Sequence, residues 1–314
     1  MRSNFAFYTE LENLVSGTVK FNEPLKYHTS FRIGGPADVF IMPKDEEDLR
    51  NAVILSNKYK VPLQIIGNGT KILVLDRGIR GIVVKISDVL DEVRFIGESV
   101  LAGSGMFISR LSKLTSEKEL SGLEFAIGIP GTVGGAVVMN AGAHGHSVGS
   151  VVTSVTVMNL KGEKRMLLRK DLEFNYRQSI LQENQEIVLN VRFELRKEES
   201  NHIRRKIEKF VQWRKNTQPL DLPNAGSVFK NPEGDYAGRL IEAAGLKGAR
   251  IGGAQVSTRH ANFIVNLGNA KAEDVLALIQ LIKQEVSKKF GIDLIPEVRI
   301  LGNKRDFKNH AHSL

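Results

Sequence analysis

Cysteine is absent from the 314 residues. That one absence excludes disulfides, thiolate metal sites, cysteine nucleophiles and CxxC redox pairs together, and it fits a reducing, cytoplasmic setting. Long apolar runs are missing too. No stretch approaches the ~18–20 residues that span a bilayer. The opening MRSNFAFYTE has no apolar core and no small-residue cleavage site, so no signal peptide is expected. Zinc-finger spacing, an RNP motif and a basic zipper are all lacking, which leaves nucleic-acid binding without a sequence basis. No internal repeat or low-complexity tract occurs, and nothing points to an obligate protein partner.

Positive charge, by contrast, is in excess. Lys and Arg number 44 against 35 Asp and Glu, a formal net charge of +9. Such a chain meets acidic partners, and small molecules bearing pyrophosphates are one class of them. The densest basic run, HIRRKIEKFVQWRK over 202–215, has Ile203, Ile207, Phe210 and Val211 at helical spacing. It reads as an amphipathic helix with a solvated basic face, on which Trp213 packs.

Elements alternate along the chain, β, α, β, with glycines at strand ends where ligands sit. Asp45 is placed to cap a helix over 45–58 with a stripe of Leu49, Val53 and Ile54. The run LQII then reads as a buried strand that ends in Gly67-Asn68-Gly69-Thr70. Strands are expected at 81–86, 100–102, 151–158 and 186–195, with a turn at Lys161-Gly162. A helix is expected near 106–114, another near 236–244, and a long one over 272–290 with Val275, Leu278, Ile279, Ile282 and Val286 on one face and Gly291 beyond its end. IDLIPEVRIL, 292–301, reads as the final strand. The polar stretch RKEESN, 196–201, marks a domain boundary, and residues 303–314 form a polar tail.

Glycine is concentrated where a ligand could sit. GIPGTVGG, 128–135, could bring backbone N–H groups close to a pyrophosphate. It lacks the strand, helix and distal acid of a nicotinamide-binding Rossmann fingerprint, and GNGTK, 67–71, is too short for a Walker A loop. Read alone, the first run is equally a tight packing turn. Two small-residue anion loops together suit a ligand with two phosphates. A metal is not expected: His144 and His146 form an HxH without a carboxylate partner. His260, in STRHANF, reads as a structural or substrate-side hydrogen-bonding residue, and His310 and His312 fall in the tail.

Six segments in order carry a specific resemblance: YHTSFRIGGPAD (27–38), IGNGTKILVLDRGIRGIVV (66–84), GLEFAIGIPGTVGGAVVMNAG (122–142), YRQS (176–179), NAGSVFKNP (224–232) and PEVRIL (296–301). Together they resemble the UDP-N-acetylenolpyruvoylglucosamine reductases over about residues 19–302. The resemblance implies an α+β fold, a vanillyl-alcohol-oxidase-type FAD-binding part in two subdomains, 1–90 and 91–197, and an α+β substrate-binding C-terminal domain, 198–302. It implies non-covalent FAD, with NADPH and a UDP-sugar as small-molecule substrates. It assigns FAD contacts to Gly67, Asn68, Gly69, Thr70, Lys71, Gly128, Gly131, Thr132, Gly134 and Gly135. It assigns catalysis to Arg177, Ser227 and Glu297, and substrate contacts to Gln218, Asn231 and Arg299.

Those residue types suit a conjugate reduction. A guanidinium can hold a carboxylate bidentately where negative charge develops. A serine hydroxyl can give up a proton only with a neighbouring cation or relay. The chain departs from the family pattern at Lys71, where asparagine is common, and in its short stretch after YRQS, which marks the subtype without a tyrosine-bearing insertion. At the place where some members use lysine for the UDP phosphates stands Gln218, with Arg214 and Lys215 close by. The alternative is a flavin oxidase or dehydrogenase of the same fold, which GSVFKNP and PEVRIL argue against.

Overall fold

Residues 2–302 are described in the computed structural model of the chain; the tail over 303–314, with its two histidines, lies outside the described residues. The helix Glu46–Tyr59 starts where Asp45 predicts, the Asp45 carboxylate accepting from the Asp48 N–H at 3.0 Å. Its buried face carries Leu49, Ala52, Val53 and Leu55, while Ile54 is only half-buried. Asp48 is not a surface charge at a helix start. It is buried and accepts from the backbone N–H groups of Ser16, Gly17 and Lys44 at 2.7–2.9 Å.

The strand Leu63–Ile66 follows and pairs in parallel with Ile79–Lys85. The sheet they share has the spatial order Thr18–Pro24, Pro36–Met42, Ile79–Lys85, Leu63–Ile66. A second, five-stranded antiparallel sheet has the order Lys164–Leu168, Val152–Met158, Ile187–Glu194, Ser99–Gly103, Val93–Ile96. Val155, Val157, Val191 and Phe193 from that sheet share a core with Leu111 of the helix Ile108–Glu117 and Val137 of the helix Val133–Val138.

Another core gathers around the helix Ala272–Phe290, whose Val275, Leu278, Ile279, Ile282 and Val286 are all buried. The Asp76 carboxylate accepts from its first N–H groups, Ala272 at 2.9 Å and Glu273 at 3.1 Å. Gly291, at φ 68, closes it in the left-handed region. A small antiparallel sheet of Arg250–Ile251, Ala254–Val256 and Ile264–Asn266 shares this core. The expected strand over 292–301 shrinks to Arg299–Leu301, which pairs in parallel with Ile72–Val74. Pro296 has no N–H to offer a ladder. The residues around it bond instead to the segment after Ser227: Glu297 N–H donates to Val228 O at 2.7 Å, and Lys230 N–H to Ile295 O at 2.9 Å.

By contacts the chain divides into two units. One comprises residues 1–20, 40–68 and 82–216; the other comprises 21–39, 69–81 and 217–314. The basic helix Ser200–Thr217 falls almost wholly in the first unit, on the near side of the division rather than beyond the polar stretch at 196–201. Its Phe210 packs on that unit's core. Among the described residues no helix is long and apolar enough to cross a membrane.

Candidate active site

In the first unit the two glycine loops lie against each other. Asn68 Nδ2 donates to Pro130 O at 2.9 Å, and a Cβ on Gly67 would come within 2.4 Å of Thr132 Oγ1. The run 128–135 offers fewer donors than its composition suggests. Val133 N–H donates to Met106 O and Gly134 N–H to Ser104 O, both at 2.8 Å. Gly135 N–H donates to Thr132 Oγ1 at 3.3 Å. No hydrogen bond within the described residues takes up the N–H groups of Gly128, Gly131 and Thr132. These are the donors left for an anion.

Close approach at Gly134 has a cause inside the protein. A Cβ there would sit 2.9 Å from Ser104 Cβ and 3.2 Å from Ser104 O. Ser104 is fully buried, and its hydroxyl has no partner. Arg214, which the sequence places only near a phosphate contact, packs its Cδ where a Cβ on Gly128 would lie, at 2.8 Å. Burial pushes its pKa below the ordinary value: a largely buried cation beside a glycine loop fits an anionic ligand. Ordered free N–H groups, a buried orphan hydroxyl and a desolvated arginine suit a pyrophosphate-bearing cofactor such as FAD.

Arg177 stands in the same unit, in a tight turn where Asn175 and Gln178 exchange backbone hydrogen bonds of 3.1 and 3.0 Å. Its φ is 55, a left-handed conformation that costs a branched-chain-free arginine about 1–3 kcal/mol. The surroundings hold it there. Ser179 Oγ donates to Val138 O at 2.7 Å, Gln182 Nε2 donates to Val138 O and to Arg177 O at 3.0 Å, and Asn140 Nδ2 donates to Asn175 O at 2.7 Å. The turn is thus tied to the helix that the glycine run begins. The guanidinium itself donates from Nη2 to Gly142 O at 2.6 Å and lies 5.2 Å from the Tyr176 ring centre.

The second unit joins the other two catalytic candidates. Gly226, at φ 72, turns the chain into Ser227, and its N–H donates to Asn224 Oδ1 at 2.9 Å. The Glu297–Val228 backbone bond places Glu297 beside this turn. Glu297 is 9% exposed, and Lys71 Nζ lies 2.8 Å from its Oε1. The same ammonium donates to Ser227 O at 2.6 Å. Lys71, expected with the cofactor loop, thus directs its charge to Ser227 and Glu297.

The substrate-side expectations scatter more. Asn231 Oδ1 accepts from Ala237 N–H at 3.1 Å, at the start of a short helix. Gln218 has a buried Oε1 without a partner, and Arg259 donates to its carbonyl at 3.2 Å. Arg299 is exposed. His144 stacks on Phe210 at 4.0 Å and meets the edge of Trp213 at 4.9 Å. Among the described residues, no group of three or more His, Asp or Glu side chains is placed to hold a metal ion.

The comparisons with known proteins define the class first. Residues 37–166 match an FAD binding domain, and the architecture mixes helices and sheets as an α+β fold does. The protein is an FAD-dependent oxidoreductase. Residues 218–301 match the C-terminal domain of UDP-N-acetylenolpyruvoylglucosamine reductase. The reductase of that name from Halalkalibacterium halodurans is 46% identical over 94% of this chain and 98% of its own. That from Caldanaerobacter subterraneus subsp. tengcongensis is 48% identical over 93% and 97%. The crystal structure of the reductase from Thermus caldophilus is 34% identical, covers 90% of this chain and 98% of its own, and superposes with a TM-score of 0.78. The chain belongs to the UDP-N-acetylenolpyruvoylglucosamine reductase family.

Proposed function

We propose that the protein reduces UDP-N-acetylglucosamine enolpyruvate to UDP-N-acetylmuramate in the cytoplasm, for peptidoglycan precursor synthesis, with NADPH as reductant and non-covalent FAD as carrier. The observation that carries this reading is the pairing of Ser227 and Glu297 through the Glu297 N–H to Val228 O bond, in a chain with close relatives of that name over nearly its whole length.

Held by the loops over 67–71 and 128–135, FAD would supply the hydride chemistry that the terminal alkene carbon of the enolpyruvyl group requires. The chain's own residues do the rest. Arg177 binds the substrate carboxylate through its planar fork and stabilises the negative charge that grows there. Ser227 gives a proton from its hydroxyl to the neighbouring carbon, which completes the lactyl ether. Glu297 assists that step from beside the serine. Gly131, Thr132 and Asn68 present N–H groups to the pyrophosphate, and Gly67, Gly69, Thr70, Gly128, Gly134 and Gly135 shape the loops around it. Gln218, Asn231 and Arg299 take up the UDP-sugar. Residues 1–90 and 91–197, with Arg214 beside them, serve the flavin, and the rest of 198–302 serves the sugar nucleotide.

Anaerobic mixing tests the reading. NADPH should bleach the flavin absorbance, and the UDP-enolpyruvyl sugar should then restore it. Reoxidation by a different acceptor, but not by this sugar, would overturn the substrate assignment.

A further inference from the structure

Lys71 closes the loop GNGTK, and its ammonium is engaged by the segments of the second unit that bear Ser227 and Glu297. Nζ is 2.8 Å from Glu297 Oε1 and 2.6 Å from Ser227 O. The backbone carries the same connection: Arg299 N–H donates to Lys71 O at 3.0 Å, in register with the pairing of Arg299 and Ile72. Lys71 is therefore tied at both ends, by main chain and by side chain, to the segment that bears Glu297. The pair is sheltered, with side-chain exposures of 23% for Lys71 and 8% for Glu297.

An ammonium has three N–H donors and no acceptor. Two of the three point at the catalytic candidates. The Glu297 Oε1 that meets the ammonium at this distance is committed to that contact, which fixes the carboxylate's orientation. A carbonyl held from its oxygen fixes the peptide on which the serine hydroxyl swings.

We infer that Lys71 is a positioning residue for the proton-delivering half of the reaction, holding Glu297 as a charged partner and fixing the Ser227 turn, and that it does not serve as a flavin ligand. This rests on the proposed reductase activity, and it assigns proton donation in this chain to Ser227 with Glu297 as its electrostatic support. Asparagine at the same position could hydrogen-bond but would bring no positive charge to Glu297.

The test is a double-mutant cycle on the holoprotein with Lys71→Met, Glu297→Gln and both together. Flavin content, flavin bleaching by NADPH, and reoxidation by the UDP-enolpyruvyl sugar are read separately. Lys71→Met should keep its flavin and its bleaching rate, and lose reoxidation by on the order of 10²-fold, the cost of a misplaced reacting group. The double variant should be little slower than Glu297→Gln alone. Lys71→Arg, which keeps the charge, should recover most of the rate, and Lys71→Asn should not.

Loss of flavin in Lys71→Met, slowed bleaching, or single losses that multiply in the double variant would each overturn the inference. Should Lys71→Met fail to fold, the contrast of Lys71→Arg with Lys71→Asn decides in its place. Wild-type protein that bleaches but is not reoxidised by the sugar overturns the proposed activity instead. In that event the unfolding midpoints of the same four proteins still decide the pairing, since coupled residues shift them by less than the sum of the single effects.

Discussion

The Arg177 guanidinium donates to the carbonyl oxygen of Gly142 at 2.6 Å. One end of the fork is thereby anchored to the chain that follows the glycine run, and the turn beneath it is anchored to the same helix through Val138 and Asn140. Lysine would keep the charge but has no second nitrogen to present while the first is held. Arg177→Lys should retain flavin and bind the UDP-sugar, while steady-state turnover falls on the order of 10²-fold or more. Turnover near the wild-type rate would remove Arg177 from the site.

Ser227 should matter to one half of the cycle only. NADPH has no need of a proton donor on the substrate's carbon, so Ser227→Ala should bleach at close to the normal rate. Its reduced flavin should then reoxidise roughly 10²–10⁴-fold more slowly with the UDP-enolpyruvyl sugar, the usual contribution of a positioned general acid. Stopped-flow absorbance separates the two. Equal slowing of both halves would make the serine structural.

Gly134 makes its close approach to Ser104, not only to a ligand. Gly134→Ala puts a methyl 2.9 Å from Ser104 Cβ, and overpacking of this kind costs about 1–3 kcal/mol. The unfolding midpoint of the apoprotein should drop. Ser104→Gly in the same chain should restore most of it by removing the atom that clashes. If the second change brings no recovery, the glycine is required for some other reason.

His260 gives the protein a weakness toward acid. Burial pushes its pKa below the ordinary histidine value, and its Nδ1 accepts from the Asn262 N–H at 3.2 Å. Below about pH 6.5 the unfolded chain takes up a proton that the native chain refuses. Stability is therefore complete above that value and falls as pH drops, by no more than about 1.4 kcal/mol per pH unit for one proton, until the native ring protonates as well. Denaturant midpoints at pH 8 and pH 5.5 should differ less in His260→Gln than in the wild type.

Local chemistry was readable wherever one segment decides its own structure. The helix Ala272–Phe290 and its closing Gly291 follow from periodicity and a left-handed terminal glycine, and Asp45 caps as its position predicts. What could not be read depends on partners far along the chain. Asp48 looks like a first-turn acid, yet three backbone N–H groups from outside its helix bury it. The strand expected over 292–301 loses its first half because Pro296 cannot donate and Glu297 bonds to Val228. Lys71 belongs by position to a glycine loop, and only folding shows its charge meeting Glu297. Which N–H groups of the run 128–135 stay open depends on distant partners too: Ser104 and Met106 claim two of them.

The strand Ile72–Val74 finds its neighbour in Arg299–Leu301, so it emerges in synthesis well before its partner and waits while the chain between them is made. During that interval a short apolar edge, Ile72, Leu73 and Val74, has no native mate. Contacts of such long separation are late and slow to form. The segment bearing Glu297 is delivered by that same pairing, so the protein acquires this part of its machinery as one of the last acts of its folding. A nascent chain stalled short of Arg299–Leu301 carries the glycine loops, Arg177 and Ser227 but lacks the strand that pairs beside Lys71.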